Sequence, residues 1–265
     1  MQIATWNVNS VRTRLGIVTD WLQRQPVDVL CLQETKVMDD QFPRSAFTDL
    51  GYEVYISGQK SYNGVALISR KPLTNVTVGF TGILGAEPVG DLDEQKRVIS
   101  GQLGDVSIVN LYVPNGSEVG SEKYQYKLRW LELLRQYLAA QSDKLLCVCG
   151  DFNIALEAID IHTKKKDDHI MYSPVERAAL KSAVLDLGLK DVFRHFVTEP
   201  GHYSWWDYRQ GGYSRNRGWR IDHLYLSPEL IDRSTGCTID KAPRELEQPS
   251  DHTPVIVEIA ATLNL

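Results

Sequence analysis

Acidic, amide and imidazole side chains stand at the ends of one short apolar run after another in this chain. "ATWNVNS" ends with Asn7 and Asn9, "VLCLQETK" with Glu34, "VNLYVPNG" with Tyr112 and Asn115, "CVCGDFN" with Asp151 and Asn153; "WRIDHLYL" contains Asp222, and "EQPSDHTPVIVEIA" carries Asp251 and His252. Taken singly, each has an ordinary structural use, as a turn former or a helix-cap acid. Their joint occurrence is costly to fold unless the charges are used. Strands that run the same way into one edge of a sandwich would bring Glu34, Asp151, Asp222 and Asp251 into one cleft, where the carboxylates repel. A divalent cation compensates that repulsion most simply. The ligands are hard oxygens with one imidazole and no thiol, which favours Mg²⁺ or Mn²⁺ over zinc. Magnesium takes only one or two protein carboxylates and completes its shell with water and phosphate oxygens, so the expected substrate is a phosphate ester.

A second region bears on which phosphate ester. "HYSWWDYRQGGYSRNRGWRIDH" holds three of the six tryptophans, Trp205, Trp206 and Trp219, interleaved with Arg209, Arg215, Arg217 and Arg220. Aromatic faces stack on exposed bases or sugars and guanidinium forks pair with phosphates, so the stretch is expected to meet nucleic acid. Alternation along the chain puts one of Trp205 and Trp206 inward and the other outward. A further basic cluster, "HTKKKDDH", follows the Asp151 strand, and a run of this kind is most often a surface loop.

These groups need a scaffold, and two kinds of segment supply it. About nine β-branched runs bounded by Gly, Pro, Asn or Asp read as strands: "QIATWNV", "DVLCLQ", "YEVYIS", "GVALISR", "VISGQL", "VSIVNLYV", "KLLCVCGDF", "IDHLYL" and "PVIVEIA". Helical spacing appears in Val11, Leu15, Val18 and Leu22, and again in Tyr124, Leu128, Leu131 and Leu138. A third helix, "SPVERAALKSAVLDLG", opens with a Ser cap and a Pro at its first position and stops at Gly188. Many strands adjacent in sequence and few helices point to an antiparallel-rich α/β sandwich. "GILGAEPVGDLDEQ" reads as a surface loop, and neither a linker nor an internal repeat is evident.

Composition sets the outer bounds. At 265 residues, with 43% hydrophobic and 24% charged residues, one large domain or two modest ones would bury an adequate core without a structural metal. A formal net charge of −5 argues against a protein that coats nucleic acid indiscriminately, though not against a local basic groove. No apolar run reaches the roughly 18 residues of a membrane span, and the first residues lack the basic start and apolar core of a signal peptide, so a cytoplasmic protein is expected. The C-x-C of Cys147 and Cys149 is read as pointing two thiols to opposite faces of a strand, and these two with Cys31 and Cys237 as reduced core residues.

In order along the chain, "WNVNSVR", "LQETK", "LYVPNG", "GDFNIA", "YSWWDYR", "NRGWRIDH" and "SDHTPV" resemble the exonuclease III family of apurinic/apyrimidinic endonucleases, within the endonuclease/exonuclease/phosphatase superfamily. The resemblance implies a single domain over residues 1–265, an α/β fold built as a four-layer α/β sandwich: two packed mixed β-sheets flanked by helices. It implies a Mg²⁺-dependent phosphodiesterase, with Mn²⁺ as a substitute, that incises duplex DNA 5′ to abasic sites or removes nucleotides and blocking groups from 3′ ends by in-line attack of an activated water. By motif position, the catalytic set is Tyr112, Asp151, Asn153, Asp222 and His252; the metal set is Asn7, Glu34, Asp151, Asn153, Asp251 and His252. Asn115, Lys123, Trp205, Arg209, Trp219 and Ile221 fall at DNA-binding positions, the apolar pocket for an extruded abasic sugar among them, and Arg97 at a phosphate-side position. The expected partner is double-stranded DNA with abasic sites or 3′ ends, met by a monomer without a membrane. Asn9 departs from the family, standing where several relatives have Asp, and "TKKKDDHIMYSPVER" replaces a typical Asn- and Gly-containing loop. Two other readings remain at this point: a phosphatase of inositol phosphates or sphingolipid on the same core, and a non-catalytic RNA-associated regulator.

Overall fold

Side-chain alternation along each strand decides what the protein buries and where. A computed structural model describes residues 1–163 and 169–260; the "KKKDD" of the second basic cluster lies outside the described residues. Within them, two six-stranded sheets form. The first runs β11 (Ser234–Ile239), β12 (Val255–Ile259), β1 (Gln2–Asn7), β2 (Val29–Gln33), β4 (Val65–Ser69), β3 (Glu53–Ser57). The second runs β5 (Thr74–Val78), β6 (Val98–Leu103), β7 (Val106–Tyr112), β8 (Leu145–Asp151), β10 (Asp222–Leu226), β9 (Lys190–Asp191). The central pairs β1/β2 and β7/β8 are parallel and all other pairings antiparallel. The two sheets thus share one topology, a repeat of architecture that the sequence does not display.

Between the sheets lie Ile3, Val29, Cys31, Ile108, Cys147, Cys149, Leu224 and Val255, each one in phase with its strand's inner face. The outer face of the first sheet, with Ala4, Trp6, Leu30, Leu32 and Ile68, packs Val18 and Leu22 of the helix Leu15–Arg24. The outer face of the second, with Val109, Leu111 and Val148, packs Trp130, Leu134 and Leu138 of the helix Glu122–Ala139 and Leu180 of the helix Pro174–Ala183. Helix, sheet, sheet and helix make the four-layer α/β sandwich. Among the described residues no helix is long and apolar enough to cross a membrane.

A polar lock sets the two sheets against each other. Gln33 of β2 donates to Asn110 Oδ1 of β7 at 2.7 Å and to Thr5 of β1 at 2.9 Å, while Asn110 donates to the Leu32 and Ala66 carbonyls, both at 2.9 Å. Buried amides tolerate few alternative arrangements because each unmade bond costs about 1–3 kcal/mol. One residue past Gln33 comes Glu34; two past Asn110 comes Tyr112. Gly150 serves the same edge, since a Cβ there would stand 1.9 Å from the Leu111 carbonyl of the parallel neighbour, and its φ is +148°.

Several expectations change. Cys147 and Cys149 share the inner face with Cys31, because residues two apart in a strand point the same way, and all four cysteines are free and buried. Three strands beyond the expected nine, β5, β9 and β11, are all sheet edges, whose solvent-facing sides need no apolar alternation. Val11 is buried in the turn before the first helix, and Leu128 is only half-buried on the second, where Lys127 takes a core position. The third helix ends at Ala183; Gly188 closes the short 3₁₀ turn after it in the left-handed conformation. "GILGAEPVGDLDEQ" contains two short helical turns, Thr81–Leu84 and Ala86–Val89, the first anchored where Asp93 accepts from Phe80 and Thr81. Arg220 is buried rather than presented to phosphate. It donates to Asp160 at 2.7 Å and to Asp191 at 2.7 Å, and Arg194 reaches Asp160 at 2.6 Å.

That network makes stability depend on acid. Burial alone would raise the Asp160 carboxyl, but the Arg220 and Arg194 guanidiniums outweigh it and hold it down at about 2. A depressed carboxylate contributes stability above its ordinary pKa and loses it as pH falls through the folded value. We predict that the stability advantage of the wild type over Asp160→Asn, measured by urea unfolding, is constant above about pH 4 and shrinks by about 2 kcal/mol toward pH 2. An advantage independent of pH would refute the charge assignment.

Candidate active site

The inner-face positions at one edge of the sandwich carry the polar groups. Asn7 continues the face of Ile3 in β1, Tyr112 that of Ile108 in β7, and Asp151 that of Cys147 and Cys149 in β8. Asp222 and the Asp251–His252 pair reach the same edge from the opposite direction. β10 is antiparallel to β8, so its first residue, Asp222, lies opposite Asp151, and the chain passes His252 just before entering β12, the antiparallel neighbour of β1. The expectation that the groups sit on strands running the same way is corrected: the site joins the ends of parallel strands to the starts of antiparallel ones.

At its centre, the buried Asn7 amide nitrogen donates to Glu34 Oε1 and to Asp151 Oδ2, each at 2.9 Å. Asn7 Oδ1 accepts the Asn9 backbone N–H at 3.0 Å, so in this arrangement Asn7 spaces two carboxylates rather than presenting its oxygen. His252 bridges the sheets. Its Nδ1 lies 2.8 Å from Asp222 Oδ2 and its Nε2 3.7 Å from Asp151 Oδ2. Around the rim, Glu34 meets Lys36 at 2.7 Å, Lys36 reaches Asn9 Oδ1 at 2.5 Å, Asn9 donates to Asp251 at 3.0 Å, and Trp205 Nε1 donates to the other Asp251 oxygen at 2.9 Å. Glu34 and Asp251 therefore belong to one rim. Asn153 donates its backbone N–H to Asp151 Oδ1 at 2.9 Å and its side-chain amide to the Val113 carbonyl at 3.0 Å, while Asn115 donates to Asn153 Oδ1 at 3.0 Å.

Backbone strain concentrates here as well. Asn9, Glu34, Lys36 and Asn153 all have φ between +44° and +55°. For non-glycine residues this left-handed region is disfavoured and persists where the surroundings over-determine it.

The electrostatics follow from burial and neighbours. Burial raises the Asp151 carboxyl, Asp222 and Glu34 add to the rise, and His252 and Asn7 offset only part of it. Burial would lower His252, but the Asp222 and Asp151 carboxylates outweigh it and raise the imidazole well into its charged form. An imidazolium has no lone pair to offer a metal, yet it donates well to a phosphoryl oxygen. Burial would raise Glu34 and Asp251, but Lys36 together with the Asn7 hydrogen bond outweighs it at the first, His252 together with the Trp205 and Asn9 hydrogen bonds outweighs it at the second, and both carboxyls are lowered. The Tyr112 phenol is raised by burial and then by Glu34 and Asp151, so it stays protonated; Arg97 stacks on its ring at 4.7 Å.

A divalent cation fits this donor set. Asp151, Asp222 and His252 place one ligand atom each within 4.8 Å of one another, and Glu34 adds a carboxylate across Asn7. Asp222 Oδ1 is buried with no protein hydrogen-bond partner. Because His252 is charged and its Nδ1 is engaged by Asp222, Glu34 and Asp151 are the better-suited ligands.

Two cavities flank this centre. One, of about 430 Å³, is lined by Trp205, Trp219, His169, Met171, Arg209 and Arg217. His169 lies against Trp219 with ring centroids 5.0 Å apart, and Ile221 is buried in the apolar cluster with Trp219 rather than in the lining. Trp206 is fully buried and Trp205 half-exposed, the expected alternation. Arg209 is exposed and held by Asp207 at 3.0 Å. The other cavity, of about 710 Å³, collects Arg97, Tyr112, Asn115 and Lys123 with Tyr62 and Arg129. Tyr62, Arg129 and Lys36 carry no sequence signal beyond the neighbouring motifs; the "K" of "LQETK" was the one readable hint.

Comparison with known proteins accords with this geometry. Residues 4–252 match the model of the endonuclease/exonuclease/phosphatase family. The chain is 34% identical to exodeoxyribonuclease III of Haemophilus influenzae over 97% of this chain and 99% of that protein. Its fold is similar to an AP endonuclease from Archaeoglobus fulgidus, with a TM-score of 0.92 and 40% identity over 98% of this chain and all of that one (100%). It is equally similar to a 3′-5′ exonuclease from Neisseria meningitidis, with a TM-score of 0.92 and 38% identity over 98% of this chain and 100% of that one. With two matching sheets, a carboxylate–imidazole centre at their shared edge and relatives along its whole length, the chain belongs to the endonuclease/exonuclease/phosphatase family, in its exonuclease III and AP endonuclease branch.

Proposed function

We propose that this protein is a Mg²⁺-dependent DNA-repair phosphodiesterase that incises duplex DNA 5′ to abasic sites and trims or unblocks 3′ ends, acting as a cytoplasmic monomer. The observation that carries the reading is the line from Asp222 through His252 to Asp151, with separations of 2.8 and 3.7 Å. Asp151, raised by burial, is a base that takes a proton from the attacking water as its oxygen bonds to phosphorus; the P–O3′ bond breaks on the opposite side, and the 3′-oxygen leaves as a hydroxyl after taking a proton from solvent. Asp222 holds the imidazole in its charged form, and His252 donates to the phosphoryl oxygen on which charge gathers. Tyr112 donates its retained proton to the same phosphate, and Asn153 aligns Asp151 through its backbone N–H. Glu34 and Asp151 would hold the cation, with Asp251 on the rim; when bound it supplies Lewis-acid polarisation of the phosphoryl oxygen and neutralises developing charge.

DNA is favoured over inositol phosphates or sphingolipid by the cavity of Trp205 and Trp219 beside Asp251, ringed by Arg209 and Arg217. An abasic nucleotide costs little to extrude, and an aromatic-walled cavity next to the hydrolytic centre suits its bare sugar. The Archaeoglobus relative is an AP endonuclease and the Neisseria relative a 3′-5′ exonuclease, so both substrates belong in the reading.

A duplex carrying one abasic analogue, and a second with a recessed 3′ end, are expected to be cut in Mg²⁺ and spared in EDTA. No cut of either under any metal would favour a non-catalytic binder instead. Asp151→Asn and His252→Ala should fold as the wild type does by circular dichroism and lose about 10²–10⁴-fold in kcat; full activity in either would remove that residue from the mechanism. Activity should fall at alkaline pH as His252 loses its proton. In Asp222→Asn that limb should move to lower pH, because the carboxylate that most favours the charged ring is gone. An unmoved limb would assign the titration to another group.

A further inference from the structure

Beneath the site lies a buried ion pair that the hydrolytic residues do not use. Lys127, on the helix Glu122–Ala139, meets Glu176 at 2.5 Å, and both side chains are 0% exposed. The ammonium also donates to the backbone carbonyls of Asn153 at 2.9 Å and Asn115 at 3.1 Å, so its three donors are all engaged. Glu176 accepts from the Met171 backbone N–H at 3.1 Å, and from Ser173 through its N–H at 3.1 Å and its hydroxyl at 2.8 Å. The Met171 carbonyl returns the link by accepting from Ala155 N–H at 2.8 Å.

Three segments therefore meet at one ion pair: the turn with Asn115, the turn with Asn153, and the loop whose His169 and Met171 line the aromatic cavity. Stability alone does not call for it, since an apolar pair of similar volume is often as stable as a buried ion pair. Position does. The Asn153 backbone is held at φ +50°, and its N–H aligns Asp151, so a shift of the carbonyl that Lys127 grips moves the base. We infer that Lys127 and Glu176 are positioning residues that couple the cavity loop to the Asn153–Asp151 turn, so that a sugar seated in the cavity finds the hydrolytic centre aligned. The inference rests on the phosphodiesterase reading given above.

The test is the double variant Lys127→Met/Glu176→Met, which leaves no unpaired charge in the core. Positioning predicts a folded protein by circular dichroism, KM for the abasic duplex within about threefold of wild type, and kcat lower by about 10²-fold. It also predicts faster backbone hydrogen exchange in both 151–155 and 169–173, read by mass spectrometry without any turnover. Lys127→Arg, which keeps charge and donors, should recover most of kcat. A double variant with wild-type kcat and unchanged exchange would overturn the inference and leave the pair a packing feature. Should the double variant fail to fold, Glu176→Gln is read in the same two ways: loss of kcat with faster exchange at 151–155 upholds the coupling, and exchange confined to 169–173 overturns it. A wild type that cuts no DNA would instead remove the phosphodiesterase reading, while the exchange measurement would still decide whether the two segments are coupled.

Discussion

Everything at this site depends on holding like charges together in a place that excludes water. Asp151 and Asp222 come from neighbouring antiparallel strands of one sheet, and in register they face each other. Unrelieved, two buried carboxylates so placed would keep one proton between them. His252 relieves them from the other sheet, lying 2.8 Å from one and 3.7 Å from the other, and Asn7 relieves Asp151 and Glu34 from the same side. The electrostatic balance is therefore an inter-sheet contact, and the sandwich is the means of making it.

That dependence explains the rigidity built around the edge. The Gln33–Asn110 lock stands just inside the polar groups and fixes how far the sheets can slide. Gly150 lets β7 and β8 run close where a side chain would part them. Four non-glycine residues in left-handed conformation bend the chain out of its strands at the points where polar groups must turn toward one another. Catalytic groups placed within a fraction of an ångström need such support from elements that do not themselves react.

Charge is distributed by the same rule. The arginines of the Trp-rich stretch do two different jobs, although nothing in their spacing separates them. Arg217 lines the aromatic cavity, while Arg220, three residues on, is buried between Asp160 and Asp191. Lys127 likewise sits at a position where helical periodicity alone would place an apolar residue. Both cations are buried because acids from distant segments meet them, and a buried charge is tolerated only when such partners arrive.

The sequence by itself determined the local facts. β-Branched runs bounded by turn residues specified the central strands and the polar groups at their ends. The Ser173 cap and the Pro174 after it announced their helix, and the ordered motifs carried the family. These are legible because each depends on residues a few positions apart. The edge strands β5, β9 and β11 were not, although the edge strand β3 was, since β9 is only two residues long and β5 and β11 are too exposed to show the alternation that marks a strand. Which arginine would be buried, that Cys147 and Cys149 would join Cys31, that Asp222 would enter the site from the start of an antiparallel strand, and that Lys127 would grip Asn115 and Asn153 were decided only by tertiary structure. Each of these turns on the meeting of segments far apart in the chain, and the energy of a buried charge is set by the partners that folding delivers to it.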